Sequence, residues 1–89
     1  MTYLAKNYNR KKISFKYGKG SYLFSKDNKK YLDFVQGIAV NSLGHAHPKL
    51  VKTIRDQSKK LWHVSNAFQI PEGEKLARKL CKKTFADYV

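Results

Sequence analysis

Three histidines, one cysteine and a few isolated carboxylates are the side chains of this 89-residue chain that could hold a metal, move a proton or attack an electrophile. His45 and His47 stand two apart in "AVNSLGHAHPKLV" (39–51), after Gly44 and before Pro48. Two imidazoles at that spacing can supply two metal ligands, but a transition-metal site wants three or four in fixed geometry. His63 and Cys81 fall at helix-end positions with no recognisable ligand spacing, so no metal site is expected. "GHAHP" reads instead as a turn into a helix, with His47 at the N-cap and Pro48 at the first helical position, where its missing N–H is no loss. Cys81 sits on an apolar helix stripe beside Lys82 and reads as structural rather than nucleophilic. Asp33, Asp56 and Asp87 form no visible pair. "GKGSYLF" (18–24) lacks the third glycine and the following helix of a phosphate-cradling loop. No complete catalytic set is present in these residues.

The elements that must position such groups are legible in patterning. Residues 1–19 are polar and basic with isolated aromatics, and Gly18 and Gly20 mark a bend. "SYLFS" (21–25) and "KYLDF" (30–34) read as two strands joined by a turn at Asp27-Asn28, a β-hairpin over about 21–34. "VQGIAVNSLG" (35–44) is apolar, broken by glycine and without a clean period, so 35–47 reads as a buried, irregular link in which Gly37 and Gly44 permit unusual backbone angles. Leu50, Val51, Ile54, Leu61 and Trp62 recur at helical spacing opposite a lysine-rich face, predicting an amphipathic helix over about 48–62. Pro71 opens a second helix to about residue 83, with Glu72 and Glu74 in its first turn and Lys82 and Lys83 in its last, matching the helix dipole at both ends. The sequence stops at "TFADYV", soon after a helix and at what reads as the start of a strand, and is expected to be a truncated piece.

Composition narrows the class. Hydrophobic residues make up 42% and aromatics 13%, which sets the chain apart from a disordered tail despite a net charge of +13. A lone cysteine excludes an intramolecular disulfide and suits a reducing, cytoplasmic compartment. No apolar run has the length of a membrane span. The charge raises nucleic acid or an anionic surface as a partner. Sixteen of the nineteen basic residues, however, are lysines spread along the whole chain, and only Arg10, Arg55 and Arg78 could make the bidentate fork of base or phosphate recognition.

Taken in order, "YGKGSYLFSKDNKKYLDFVQGIAVNSLGHAHPKLVKTIRDQSKKLWHVSNAFQIPEGEKLARKL" (17–80) resembles the N-terminal region of the class III, ornithine-type family of pyridoxal-phosphate aminotransferases. The family pattern runs from "G-x-G-x-x-L" through "D-x-x-G-x-x-Y-L-D-F", "G-I-A-V-N-x-L-G-H-x-H-P" and "Q-x-x-K-L-x-H-x-S-N" to "L-A-x-x-L". Two departures stand out: Asn28-Lys29 replaces the family's glycine in the hairpin turn, and "SNAFQIP" replaces "SNLYxxP". "GIAVNSLGHAHP" with "LWHVSN" is most similar to the branch acting on N-acetylornithine.

The resemblance implies an α/β chain that is the N-terminal segment of the fold type I transferase architecture. It would comprise the small-domain hairpin and two amphipathic helices, and end before the large cofactor-binding domain. It implies an intact homodimer using pyridoxal 5'-phosphate to transfer an amino group between N-acetylornithine and 2-oxoglutarate in arginine biosynthesis. The substrates are small amino and 2-oxo acids, with neither membrane nor nucleic acid as partner. Tyr8, in "KNYNR", and Gly37-Ile38 would line the substrate pocket, and Ser65, Asn66 and Phe68 the dimer interface or pocket edge. The lysine that holds the cofactor, its phosphate cup and the carboxylate at the pyridine nitrogen would all come later in the sequence, so these 89 residues alone are expected to hold no cofactor and to lack activity. The competing reading is a free-standing basic module that binds nucleic acid or anionic surfaces.

Overall fold

The computed structural model describes residues 2–89, which divide into two compact units, the first ending at Asp56 and the second beginning at Gln57. The first unit is built on a three-stranded antiparallel meander, β1 (Phe15–Lys19), β2 (Tyr22–Ser25) and β3 (Lys30–Leu32), in the order β1-β2-β3. The hairpin read from 21–34 is therefore the second half of a larger sheet. β1 lies where sequence patterning gave only a bend, because "FKYGK" has no strict alternation and a bulge between Phe15 and Tyr17 breaks the register. Cross-strand aromatics hold the sheet: the Tyr17 and Phe24 rings stack at 4.4 Å, and Phe15 meets Tyr31 edge-on at 5.6 Å.

The β2–β3 turn is set by Ser25, the one buried residue among those described. Its N–H donates to the Lys29 carbonyl at 2.9 Å, its Oγ accepts the Lys29 N–H at 3.0 Å, and its carbonyl accepts the Asn28 N–H at 3.0 Å. Asn28 adopts a left-handed φ of 65°, which asparagine tolerates better than most residues with a Cβ. The Ser25 hydroxyl, followed by Lys29, also holds the Asp27 carboxyl below its usual value.

After β3 the link is irregular but not buried. α1 (Gln36–Ala39) is one turn long, and Val35, Ile38 and Val40 on and beside it are exposed. An apolar run without a period cannot say whether its partner lies in the same chain, and no hydrophobic side chain is fully buried among the described residues. α2 (Pro48–Gln57) follows, with the His47 Nδ1 accepting the Lys49 N–H at 3.2 Å and the His47 carbonyl accepting the Val51 N–H at 2.9 Å. His47 thus caps the helix. α2 ends five residues short of the expected 62. In the second unit, the Gln57 amide donates to the Leu61 carbonyl at 2.8 Å and the Trp62 indole to the Ser58 carbonyl at 2.7 Å.

α3 (Pro71–Lys83) has Pro71 at its start and Glu72, Glu74, Lys82 and Lys83 where the dipole favours them. Thr84 closes it by donating its hydroxyl to the Leu80 carbonyl at 2.9 Å. No helix among the described residues is long and apolar enough to cross a membrane.

Candidate functional site

Gly37 and Ile38 lie in α1, whose hydrogen bonds are helical while its backbone is left-handed. The Ile38 and Ala39 N–H groups donate to the Val35 carbonyl at 2.9 and 3.1 Å, and those of Val40 and Asn41 to the Gln36 carbonyl at 3.0 Å each. Yet Gln36, Gly37, Ile38 and Ala39 have φ of 49°, 64°, 64° and 61°. Glycine takes this region freely, but a β-branched isoleucine there is a strained outlier. Ile38 is 87% exposed.

The residues that hold this turn are ones the sequence reading left unpaired. By sequence Asp33 is an isolated carboxylate and His45 part of a turn. In the structure the Asp33 Oδ2 lies 2.6 Å from the His45 Nε2, with side-chain exposures of only 7% and 18%. The Asp33 Oδ1 accepts the N–H groups of Val35 at 3.0 Å and Gln36 at 2.9 Å. The Gln36 amide first, then His45, hold the Asp33 carboxyl below its usual value.

His45 is fixed in turn by its backbone. It exchanges two hydrogen bonds with Gly20, N–H to carbonyl at 2.8 Å and carbonyl to N–H at 3.0 Å. Two glycines make room for this bridge. A Cβ on Gly44, whose φ is +83°, would lie 3.0 Å from the Gly20 backbone, and one on Gly18 would lie 2.5 Å from the His45 ring. "GHAHP" is therefore more than a turn: His47 caps α2 while His45 clasps the link to the sheet and to Asp33. The only sequence signals were the glycines on either side, since a pair twelve residues apart has no local pattern.

The other expected site residues fall elsewhere. Tyr8 is 72% exposed, with the Arg10 guanidinium 5.4 Å above its ring. In the second unit Ser65, Asn66 and Phe68 share one turn: the Ser65 carbonyl accepts the Phe68 N–H at 3.0 Å and its Oγ accepts the Ala67 N–H at 3.2 Å. Asn66 and Phe68 line an open groove beside α3 with Ile70, Gly73, Ala77 and Val89. The structure thus forms two local clusters, Gly37-Ile38 and Ser65-Asn66-Phe68, and leaves Tyr8 largely in solvent.

Pyridoxal phosphate needs an amine in a water-excluding pocket and a cup for its phosphate. All sixteen lysines are exposed, and Ser25 is the one fully buried side chain among the described residues, so these residues do not by themselves fit the cofactor. No group of three histidine, cysteine, aspartate or glutamate side chains among the described residues is placed to hold a metal ion.

Comparison with known proteins finds aminotransferases of several names, acetylornithine, ornithine and adenosylmethionine-8-amino-7-oxononanoate aminotransferases among them. Acetylornithine aminotransferase 1 of Bradyrhizobium diazoefficiens is 54% identical over 80 residues, 90% of this chain and 20% of that protein. Acetylornithine aminotransferase of Aquifex aeolicus is 55% identical over 82 residues, 92% of this chain and 22% of that protein. The crystal structure of acetylornithine aminotransferase from Elizabethkingia anophelis superposes with a TM-score of 0.88 at 28% identity, covering 97% of this chain and 22% of that one. The chain thus spans about a fifth of the length of the curated relatives it matches. Class III aminotransferases in general depend on pyridoxal phosphate. The family model for aminotransferase class-III matches residues 3–89, nearly every position, and the chain belongs to that family.

Proposed function

We propose that this chain is the N-terminal segment of a pyridoxal-phosphate enzyme that transfers an amino group from N-acetylornithine to 2-oxoglutarate in arginine biosynthesis. The observation that carries this reading is the 54% identity to acetylornithine aminotransferase over 90% of the chain. In this reading the cofactor supplies the electron sink for amino transfer and is held by residues outside these 89. The segment contributes shape: α1 presents Gly37 and Ile38 to the amino donor, Tyr8 completes that side of the pocket, and Ser65, Asn66 and Phe68 form the pocket edge at a homodimer interface. A strained, exposed left-handed turn supports the first of these roles, because such backbone is kept where something other than stability requires it. The lone Cys81 accords with a cytoplasmic home.

The high lysine content keeps the basic-module reading in view, but nothing in the relatives favours it. The test is an assay of the intact protein with 2-oxoglutarate and a panel of donors: N-acetylornithine, ornithine, succinylornithine and succinyldiaminopimelate. Glutamate should form fastest with N-acetylornithine. Faster turnover of another donor would reassign the substrate, and no glutamate from any of them would overturn the reading.

A further inference from the structure

The Asp33 carboxylate stands where β3 ends and collects three partners from the link that follows, the Val35 and Gln36 amides and the His45 ring. His45, twelve residues on, is anchored to the sheet through Gly20, so the link is closed on itself around this one side chain. Inside the closure lies α1, with three non-glycine residues at positive φ, Gln36, Ile38 and Ala39. Left-handed residues with a Cβ persist only where their surroundings over-determine them. Packing does not do so here, since the Ile38 side chain is largely in solvent. The bonds from Asp33 fix the residue at which the left-handed run begins, and His45 fixes the carboxylate.

We infer that Asp33, braced by His45, is a positioning residue that holds Gly37 and Ile38 in the left-handed turn and so sets their presentation to the amino donor. The inference rests on the pocket reading proposed above for those two residues. Neither Asp33 nor His45 need touch the substrate. Their effect is geometric, and a displacement of about 1 Å in a substrate-positioning group can cost on the order of a hundredfold.

The test joins two measurements. Hydrogen exchange of the Val35 and Gln36 amides, read at residue resolution by mass spectrometry on the intact enzyme, reports the turn. Steady-state kinetics of the intact enzyme with N-acetylornithine and 2-oxoglutarate report the pocket. Asp33→Ala should speed exchange at both amides by about tenfold or more and raise the N-acetylornithine KM by about tenfold or more, with a smaller fall in kcat. Asp33→Asn keeps an oxygen for both amides and should recover most of each effect. Unchanged exchange in Asp33→Ala overturns the positioning, whatever the pocket residues do. Faster exchange with an unchanged donor KM overturns the pocket reading and the inference with it. Should Asp33→Ala not fold, His45→Ala and His45→Gln carry the test, because a glutamine amide reaches close to the position of Nε2. The alanine variant must lose Gln36 protection and donor affinity and the glutamine variant regain them; equal behaviour of the two overturns the inference.

Discussion

Gly18→Ala is the smallest change that strikes the clasp between the link and the sheet. The added methyl would sit 2.5 Å from the His45 Cγ, 2.7 Å from its Cβ and 3.0 Å from its Cδ2. Carbon atoms prefer separations of about 3.5–4.0 Å, so the ring or the strand must move by about 1 Å. The ring has little freedom to do so, with its backbone paired to Gly20 and its Nε2 on Asp33. Overpacking of this kind costs about 1–3 kcal/mol. If the sheet opens together with the clasp, amide exchange at Tyr22–Ser25 (β2) should accelerate by roughly 5- to 150-fold. The decisive comparison is a double-mutant cycle with His45→Gly, which removes both the ring and the Cβ that the methyl strikes. Gly18→Ala should cost much less in that background. The same cost in both backgrounds would falsify the clasp as the reason for glycine at position 18.

Other outcomes follow from the exposed faces and the charges. Phe34, Ile38, Trp62 and Phe85 all present apolar surface to solvent, so the 89-residue chain should self-associate as its concentration rises; a monomer with a sharp, concentration-independent thermal transition contradicts this. In the intact enzyme Tyr8→Phe should weaken the reaction with the amino donor more than that with 2-oxoglutarate, and equal effects on both half-reactions would remove Tyr8 from the donor side. Asp33 should titrate below its ordinary value of 3.8 in a carboxyl-carbon NMR titration, because the Gln36 amide and then His45 favour its charged form. A depressed folded-state pKa means that the native chain binds fewer protons than the unfolded one. The stabilisation is thus present above 3.8 and lost as pH falls through the lower folded value, and a midpoint at or above 3.8 contradicts the pairing.

What could be read from sequence divides along physical lines. α3 was legible because proline, two glutamates and two lysines mark its ends, and those signals act within a single turn. The Asp27-Asn28 turn was legible for the same reason. β1 was not, since a bulged strand carrying Gly18 loses the alternation by which strands are recognised. The end of α2 was missed because Leu61 and Trp62 continue the apolar spacing after the backbone has left the helix at Gln57. The Asp33–His45 pair was out of reach: its members are separated by the link, and only the folded path of Gly20 and Gly44 brings them together. The family resemblance, by contrast, was legible in the order of the motifs, since that order is preserved whether or not each side chain's partner can be deduced.

The central claim, that this segment shapes a donor pocket and leaves cofactor attachment to residues outside it, is tested most directly by chemical trapping. The 89-residue chain is incubated with pyridoxal phosphate, reduced with borohydride and mapped by mass spectrometry. With all sixteen lysines exposed, labelling should be scattered and substoichiometric, without amino transfer from N-acetylornithine. One lysine labelled stoichiometrically, together with turnover, would contradict the claim and place a working site within these residues.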